Sequence, residues 1–329
     1  MKNADFLSIG DITVDSFIRI KDASMHCELN RERCQLCVDF GEKIPFESVE
    51  TIPAVGNAAN AAVAASRLGI PSAIVTDLGD DNDGKDSLAR LKKENVSTEL
   101  ATVHAGMPTN HHFVLWYEDE RTILVHHTSY PYSLPTLPAC KWMYLTSIGL
   151  ESDAYHAQIS GYLDAHPEIK LMFQPGTFQI KMGKEKLAAF YKRSEAIAVN
   201  VSEASAIIGA NLTIPDLLTE LNKLGPKIVL VTDGRNGAYL FDGTDKWHLP
   251  IYPDSRPPLQ RTGAGDATTS TLTAFLLLGY SPIEALKRGI VNARSVVQAI
   301  GAQKGLLTRE EIEETLAKAP PEFSAEKIS

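Results

Sequence analysis

The chain has 329 residues, 44% hydrophobic and 22% charged, which is enough apolar material for a sizeable core and too much length for one minimal domain. Its 32 Lys and Arg against 41 Asp and Glu leave a net charge of −9 with no long basic cluster, which excludes a nucleic-acid partner. The most apolar run, Leu272 to Leu278, is far short of the roughly 20 residues of a membrane span, and 4 cysteines do not make a disulfide scaffold.

Met1-Lys2-Asn3-Ala4-Asp5 passes directly into strand-like Phe6-Leu7-Ser8-Ile9 with no signal-peptide apolar region, so a cytoplasmic protein is expected. Residues 12–50 contain alternating segments such as Thr13–Ile20 and no strong helix. From about residue 54, short apolar runs alternate with helix-length segments. Ser72–Thr76, Trp142–Thr146, Lys170–Phe173, Ala196–Val199 and Lys227–Val231 read as buried strands, each nearly continuous in apolar residues. Helices are predicted over Asn57–Leu68, Lys85–Glu94, Ala154–Ala165, Ser202–Ile208 and Ile214–Leu224. This rhythm predicts an α/β fold with a doubly wound, mostly parallel sheet. His111–Tyr117, an acidic turn Glu118-Asp119-Glu120, and Arg121–His127 read as a hairpin. With residues 12–50 it would form a small lid sheet, so the chain reads as one domain over 1–329 with lid segments at about 12–50 and 108–128.

The sharpest local signal is Arg261-Thr262-Gly263-Ala264-Gly265-Asp266-Ala267-Thr268, followed by a helical apolar run. Small residues where a loop turns into a helix leave backbone N–H groups uncovered, and a helix N-terminus of that kind favours an anion. Asp266 in the same first turn would repel a static phosphate. The two features agree if the anion is a phosphoryl group in transfer and Asp266 takes a proton from the attacking hydroxyl. Taken alone, the run reads equally as a structural Gly-rich turn.

The sequence resembles the ribokinase-like or PfkB carbohydrate kinases over nearly its whole length. Gly263-Ala264-Gly265-Asp266 is similar to that family's C-terminal signature, with the Gly-Ala-Gly amides as anion hole and the Asp as base. Val55-Gly56-Asn57-Ala58-Ala59-Asn60-Ala61-Ala62, continuing to Arg67-Leu68-Gly69, resembles the N-terminal signature. Gly10-Asp11-Ile12-Thr13-Val14-Asp15 resembles the first strand with its substrate-binding aspartates. Asn200-Val201-Ser202-Glu203 is similar to the Asn-x-x-Glu motif that organises Mg-ATP, and Val231–Ala238 to the nucleotide loop. The resemblance implies a ribokinase-like three-layer fold with a small β-sheet lid and use of ATP and Mg²⁺.

On this reading Asp266, Gly263, Ala264 and Gly265 are catalytic. Asn200, Glu203, Thr232, Gly234, Gly237 and Asn292 serve the nucleotide, with Glu203 meeting Mg²⁺ through water. Asp11, Asp15, Gly56, Asn57, Asn60, Asn110 and Arg121 serve the acceptor. Asp11 and Asp15 lie at and just past a strand end, where open α/β sheets bind ligands and carboxylates accept bonds from hydroxyls. Gly56 permits close backbone approach, and Asn57 and Asn60 share a helical face, although Asn57 alone reads as a helix cap. Asn200 and Glu203 alone read as an N-terminal helix pair, and Asn292 is the weakest transfer. His111, His112, Trp116 and Tyr117 on the hairpin are further candidates, His112, Val114 and Trp116 sharing one face. Gln174-Pro175-Gly176 borders the acceptor site or is only a tight turn.

Three departures stand out. Val55 replaces the family's usual first Gly, and Asn57 stands where sugar kinases often have Lys or another polar group. Gln260 replaces an Asp often found in a monovalent-cation site, which weighs against a potassium requirement. His26, Cys27, Cys34 and Cys37 just meet the ligand count for zinc, but adjacent residues rarely share one metal, so reduced thiols are expected instead. Asp80-Asp81-Asn82-Asp83-Gly84 lacks the calcium-loop register and reads as a structural turn. The expected activity is ATP-dependent phosphorylation of a primary hydroxyl on a small ribose- or fructose-like sugar, with a nucleoside as alternative acceptor and a homodimer formed through the lid. A non-catalytic sugar-binding regulator is opposed by the intact Asp266 and Gly263–Gly265.

Overall fold

Alternation along each central strand sends one set of apolar side chains to either face of the main sheet, so both faces must be covered by helices. The structure, a computed structural model, describes residues 4–27, 34–118, 120–254 and 256–329. Met1–Asn3 at the expected N-terminal approach and Asp119 in the acidic turn lie outside the described residues.

Strand β1 (Phe6–Ile9) leads at once to β2 (Thr13–Ile20), β3 (Ser24–Cys27), β4 (Cys34–Cys37) and β5 (Phe46–Val55). Helix α1 (Asn57–Arg67) opens the βα rhythm, followed by β6 (Ser72–Gly79), α2 (Asn82–Lys93) and β7 (Ser97–His104). The hairpin β8 (His111–Tyr117) and β9 (Glu120–His126) precedes β10 (Trp142–Leu145). Then come α3 (Asp153–Ala165), β11 (Lys170–Phe173), α4 (Thr177–Met182), α5 (Ala188–Arg193) and β12 (Ala196–Asn200). Next are α6 (Val201–Ile208), α7 (Ile214–Lys223), β13 (Ile228–Thr232), β14 (Ala238–Phe241) and β15 (Lys246–Leu249). The chain closes with α8 (Ala264–Leu277), α9 (Pro282–Val296), α10 (Arg309–Leu316) and β16 (Glu326–Ile328).

Among the described residues the main sheet has the order β16-β15-β14-β13-β12-β11-β10-β1-β6-β7. It is parallel from β7 through β13 and antiparallel from β13 to β16. Leu7, Ile9, Leu145, Phe173 and Val231 pack under α3, α5, α6 and α7, while Phe6, Tyr144, Met172 and Leu230 pack under α1, α8 and α9. The three layers expected are therefore present. The chain order reverses on either side of β1, and at such a switch point loops part beyond the C-terminal strand ends and leave a crevice.

A separate sheet, β5-β2-β8-β9, rises beside that crevice. Strand β2 pairs antiparallel with β5 and parallel with β8, so two distant segments make one lid, and β5 carries its first segment on to Val55. Val114 and Trp116 are buried and Phe113 is 45% exposed, which matches the expected division of faces.

Several details differ from expectation. Cys27 and Cys34 form a disulfide instead of remaining thiols, because pairing of β3 with β4 sets them opposite one another with Cα atoms 4.0 Å apart. Cys37 and Cys140 are thiols, and burial pushes the Cys140 thiol up to about 12. Helix α2 starts at Asn82, three residues early, because the Asp81 carboxylate caps it and accepts from Gly84 N at 2.9 Å. The cap of α1 is Gly56, not Asn57, with φ of +95°.

Candidate active site

The C-terminal edge of the main sheet gathers the chemistry. Asp11 follows β1, Gln174 follows β11, and Asn200 and Thr232 end adjacent strands in register. The loop into α8 closes the same edge. Gly263 sits there with φ of +84°, and a Cβ on it would lie 2.4 Å from that of Ala302, so both conformation and space require glycine. No side chain caps α8, and a Cβ on Gly265 would meet open space. The first turn therefore presents amides uncovered by side chains at the positive end of a 14-residue helix, Ala264 N making a long 3.4 Å bond to Arg261 O.

Asp266, in that first turn, is held at both oxygens. Asn60 Nδ2 donates to Oδ2 at 2.8 Å and Gln174 Nε2 to Oδ1 at 3.1 Å. Behind Asn60, Gln303 Nε2 donates to Asn60 Oδ1 at 3.0 Å and to Ala54 O. Behind Gln174, the Tyr144 hydroxyl donates to its side-chain oxygen. Arg67 holds the loop that carries Gln303 by donating to the carbonyls of Gln303 and Leu306, while pairing with Glu94. Each amide orientation is thus fixed by the group behind it. Burial pushes the Asp266 carboxyl above the ordinary carboxylate range, against the two amide donors and the positive charge of Arg121, and the negative charge of Asp15 adds to the rise. A carboxylate raised this way is a stronger base.

Asn200 and Glu203 form a capping box: Asn200 Oδ1 accepts from Glu203 N and Glu203 Oε2 accepts from Asn200 N, each at 2.9 Å. Burial raises the Glu203 carboxyl, and the charge of Asp266 raises it further. A carboxylate oxygen that takes no part in the capping box is a ligand suited to a divalent cation. Glu203 keeps its second oxygen for such an ion, so the residues fit Mg²⁺ held through water.

The acceptor end is differently made. Asp11 Oδ2 accepts from the Tyr132 hydroxyl and from Gly149 N, both at 2.8 Å. Asp15 Oδ1 lies 3.4 Å from His112 Nδ1, and His127 Nδ1 lies 3.8 Å from Asp11 Oδ2. Among the described residues, Asp15 Oδ1, His112 Nε2 and His127 Nδ1 are buried without a hydrogen-bond partner. Such groups each cost about 1–3 kcal/mol unless something answers them.

The chain as a whole is similar to known proteins. The profile of the pfkB family carbohydrate kinases matches residues 19–309. The chain belongs to that family. This pfkB kinase is 29% identical to the ribokinase of Bacillus subtilis strain 168 over 286 residues, covering 84% of this chain and 92% of that one. It superposes on the Arabidopsis thaliana ribokinase complexed with ribose and ATP with a TM-score of 0.76, at 22% identity, over 95% of this chain and 99% of that one. The Burkholderia thailandensis nucleoside kinase in complex with inosine shares the fold at a TM-score of 0.74 and 16% identity, over 95% and 97%.

Not every expected site residue of this pfkB kinase reaches the cleft. Asn292 is fully buried: its Nδ2 donates to Thr271 Oγ1 and its Oδ1 accepts from Leu307 N, so its amide is spent on the core. Asn110 is also fully buried and straps the lid base, donating to Ile12 O and accepting from Thr128 N. Gly237 is packed against Leu249 O, whereas Gly234 lies exposed on the loop after Thr232. Gly56 approaches Asp11 O, and half-buried Asn57 follows it. Arg121 sits exposed over the cleft, within the fields of Asp15 and Asp266. His111 turns away, bonded to Asp83 and Ser16.

The sequence reading did not single out His127, Tyr132 or Gln303. Gln303 carries no motif of its own; only its return to Asn60 across the fold gives it a place. Gln260 is buried, and its Nε2 donates to Ala299 O at 2.8 Å, Gly301 O at 3.3 Å and Thr262 O at 3.4 Å. A donor thus stands where carbonyl oxygens converge, and this arrangement does not fit a cation.

Proposed function

We propose that this pfkB kinase transfers the γ-phosphoryl group of ATP to a primary hydroxyl of a small sugar of the ribose or fructose kind. The observation that carries the reading is Asp266, gripped at both oxygens by amides at the uncapped head of α8. Asp266 takes the proton of the acceptor hydroxyl as its oxygen attacks in line, and the amides of Gly263, Ala264 and Gly265 receive the charge that develops on the phosphoryl oxygens. Asn200 and Glu203 would hold Mg²⁺ through water, and such an ion would neutralise phosphate charge. Thr232 and Gly234 border the nucleotide. Gln260 supplies internally the positive end that a monovalent ion would supply, so catalysis is independent of potassium.

The relative named for ribokinase and the fold neighbour holding ribose and ATP support a free sugar. A nucleoside is the second reading, favoured by the fold shared with the nucleoside kinase. Of Phe17, Trp116 and Tyr117, the aromatic residues able to stack a base, Phe17 and Trp116 are 5% and 8% exposed and Tyr117 is half-buried. Trp116 Nε1 donates to Glu118 O and Arg19 covers its ring, which favours the sugar. On the outer face of the lid Val49, Phe113 and Leu124 are 54%, 45% and 52% exposed, and a second copy of the chain is the proposed cover. No helix among the described residues is long and apolar enough to cross a membrane.

The test is ADP release with Mg-ATP over D-ribose, D-fructose and adenosine. Turnover of a free sugar is expected. Turnover of adenosine alone would replace the first reading with the second, and sugar binding without transfer would make the protein a regulator.

A further inference from the structure

The unanswered atoms Asp15 Oδ1, His112 Nε2 and His127 Nδ1 belong to three side chains that neighbour one another in turn, with Asp11 beside the last. In the lid sheet Asp15 on β2 faces His112 on β8, and the His112 ring lies 5.1 Å from that of His127, which follows β9. His127 is set edge-on against Phe178 of α4 at 5.3 Å, with its Nδ1 toward Asp11. The cluster therefore consists of two Asp–His pairs, Asp15 with His112 and Asp11 with His127, drawn from both lid segments and the main sheet. Asp11 is already fixed by Tyr132 and Gly149, so that pair is anchored before any ligand arrives.

The chemistry of the pairs defines what they recognise. An ionised carboxylate only accepts hydrogen bonds, whereas an imidazole donates at one nitrogen and accepts at the other. A hydroxyl both donates and accepts, so one hydroxyl can donate to the aspartate and accept from the histidine beside it. Two such pairs side by side match two neighbouring hydroxyls. We infer that His112 and His127 are acceptor-specificity residues, each completing an Asp–His clamp on one of two vicinal hydroxyls of an uncharged polyol. This rests on the kinase reading for its acceptor, but its test separates the two. Burial of the unanswered atoms is the signal: a site built to bond a hydroxyl rejects the analogue that lacks it far more strongly than a merely fitting pocket does.

The experiment uses the full chain, its His112→Phe and His127→Phe variants, and His112→Gln and His127→Asn should the larger changes prevent folding. Three acceptor pairs are compared: D-ribose with 2-deoxy-D-ribose, D-fructose with 3-deoxy-D-fructose, and adenosine with 2′-deoxyadenosine. Initial rates with Mg-ATP and calorimetric binding are measured for each. The unaltered protein is expected to prefer the parent acceptor by about 10²-fold or more in kcat/KM. At least one histidine variant loses about tenfold or more on the parent while changing little on the deoxy analogue, so the preference collapses and the KM for ATP holds. Equal losses on parent and analogue, or no loss, would assign the histidines a packing role and overturn the clamps. Binding without turnover, with the same selective loss in the variants, upholds the clamps and removes the kinase reading; binding of none of the six compounds overturns both.

Discussion

The two halves of the cleft are built on opposite principles. At the α8 end every group that touches Asp266 is itself held: Asn60 by Gln303, Gln174 by Tyr144, and the Gln303 loop by Arg67. At the lid end buried atoms of Asp15, His112 and His127 go unanswered among the described residues, and the outer sheet face stays apolar and exposed. The lid tip joins the α8 loop through Glu120 and Arg261. Chemistry that must be aimed within a fraction of an ångström is placed on rigid elements and preorganised. On the proposed function, recognition falls to the lid sheet, whose unanswered atoms an acceptor would satisfy.

If that division holds, the largest effect comes from the rigid half. Asp266→Asn should lower kcat by about 10²–10⁴-fold while ATP still binds. Near-normal turnover in that protein would leave the amide network without a catalytic purpose. Gln260→Asp comes next. A buried carboxylate there faces the carbonyls of Ala299 and Gly301 with the neutral Thr262 amide to answer it, and poorly compensated buried charges cost about 3–5 kcal/mol. Melting temperature should fall steeply and recover in part when potassium is added, because an ion that binds only the folded form stabilises it. Rate and melting of the unaltered protein should ignore the exchange of potassium for a bulky organic cation. A potassium response there would show that Gln260 does not replace the ion.

The legible and illegible parts of the sequence divide along the same line. The uncapped head of α8, the capping box of Asn200 and Glu203, and the aspartates just past the end of β1 could be read because each is a short run with a local geometry of its own. Continuous apolar runs gave the parallel strands, although Ser72–Gly79 is longer than its apolar start. Asn292 and Asn110 turn out to be buried and hydrogen-bonded, and a polar residue near a site and a polar residue satisfied in the core look the same in one dimension. Gln303 and His127 act through contacts far away in sequence, 243 residues in the case of Gln303 and Asn60, which no spacing encodes. The Cys27–Cys34 bond depended on the register of two short strands.

A smaller effect probes how the network tunes its base. Gln174 donates to Asp266 and so holds its carboxyl down against burial. Because the active form is ionised, kcat should fall as pH drops through the raised pKa, giving an acid limb above the ordinary carboxylate value of about 4. In Tyr144→Phe/Gln174→Leu both partners of the rear hydrogen bond go together, so neither is stranded. Losing the donor should move the limb upward, because Gln174 lowers the Asp266 carboxyl and its removal leaves burial less opposed. A limb that stays in place, or moves down, would mean that Gln174 does not govern the base.

The smallest effect belongs to the contact between the halves. Glu120 Oε1 lies 3.1 Å from Arg261 Nη1, with the side chains 63% and 31% exposed. Exposed pairs are worth about 0.2–1 kcal/mol. Glu120→Gln should therefore lower kcat/KM for the acceptor by no more than about fivefold, and only at low salt, since charges this exposed are screened within roughly 8 Å at physiological ionic strength. The KM for ATP should not move, because Arg261 precedes the anion hole without forming it. A loss well beyond that bound and insensitive to salt would mean that lid and α8 loop form one preorganised unit, and the division between rigid chemistry and closing recognition would have to be abandoned.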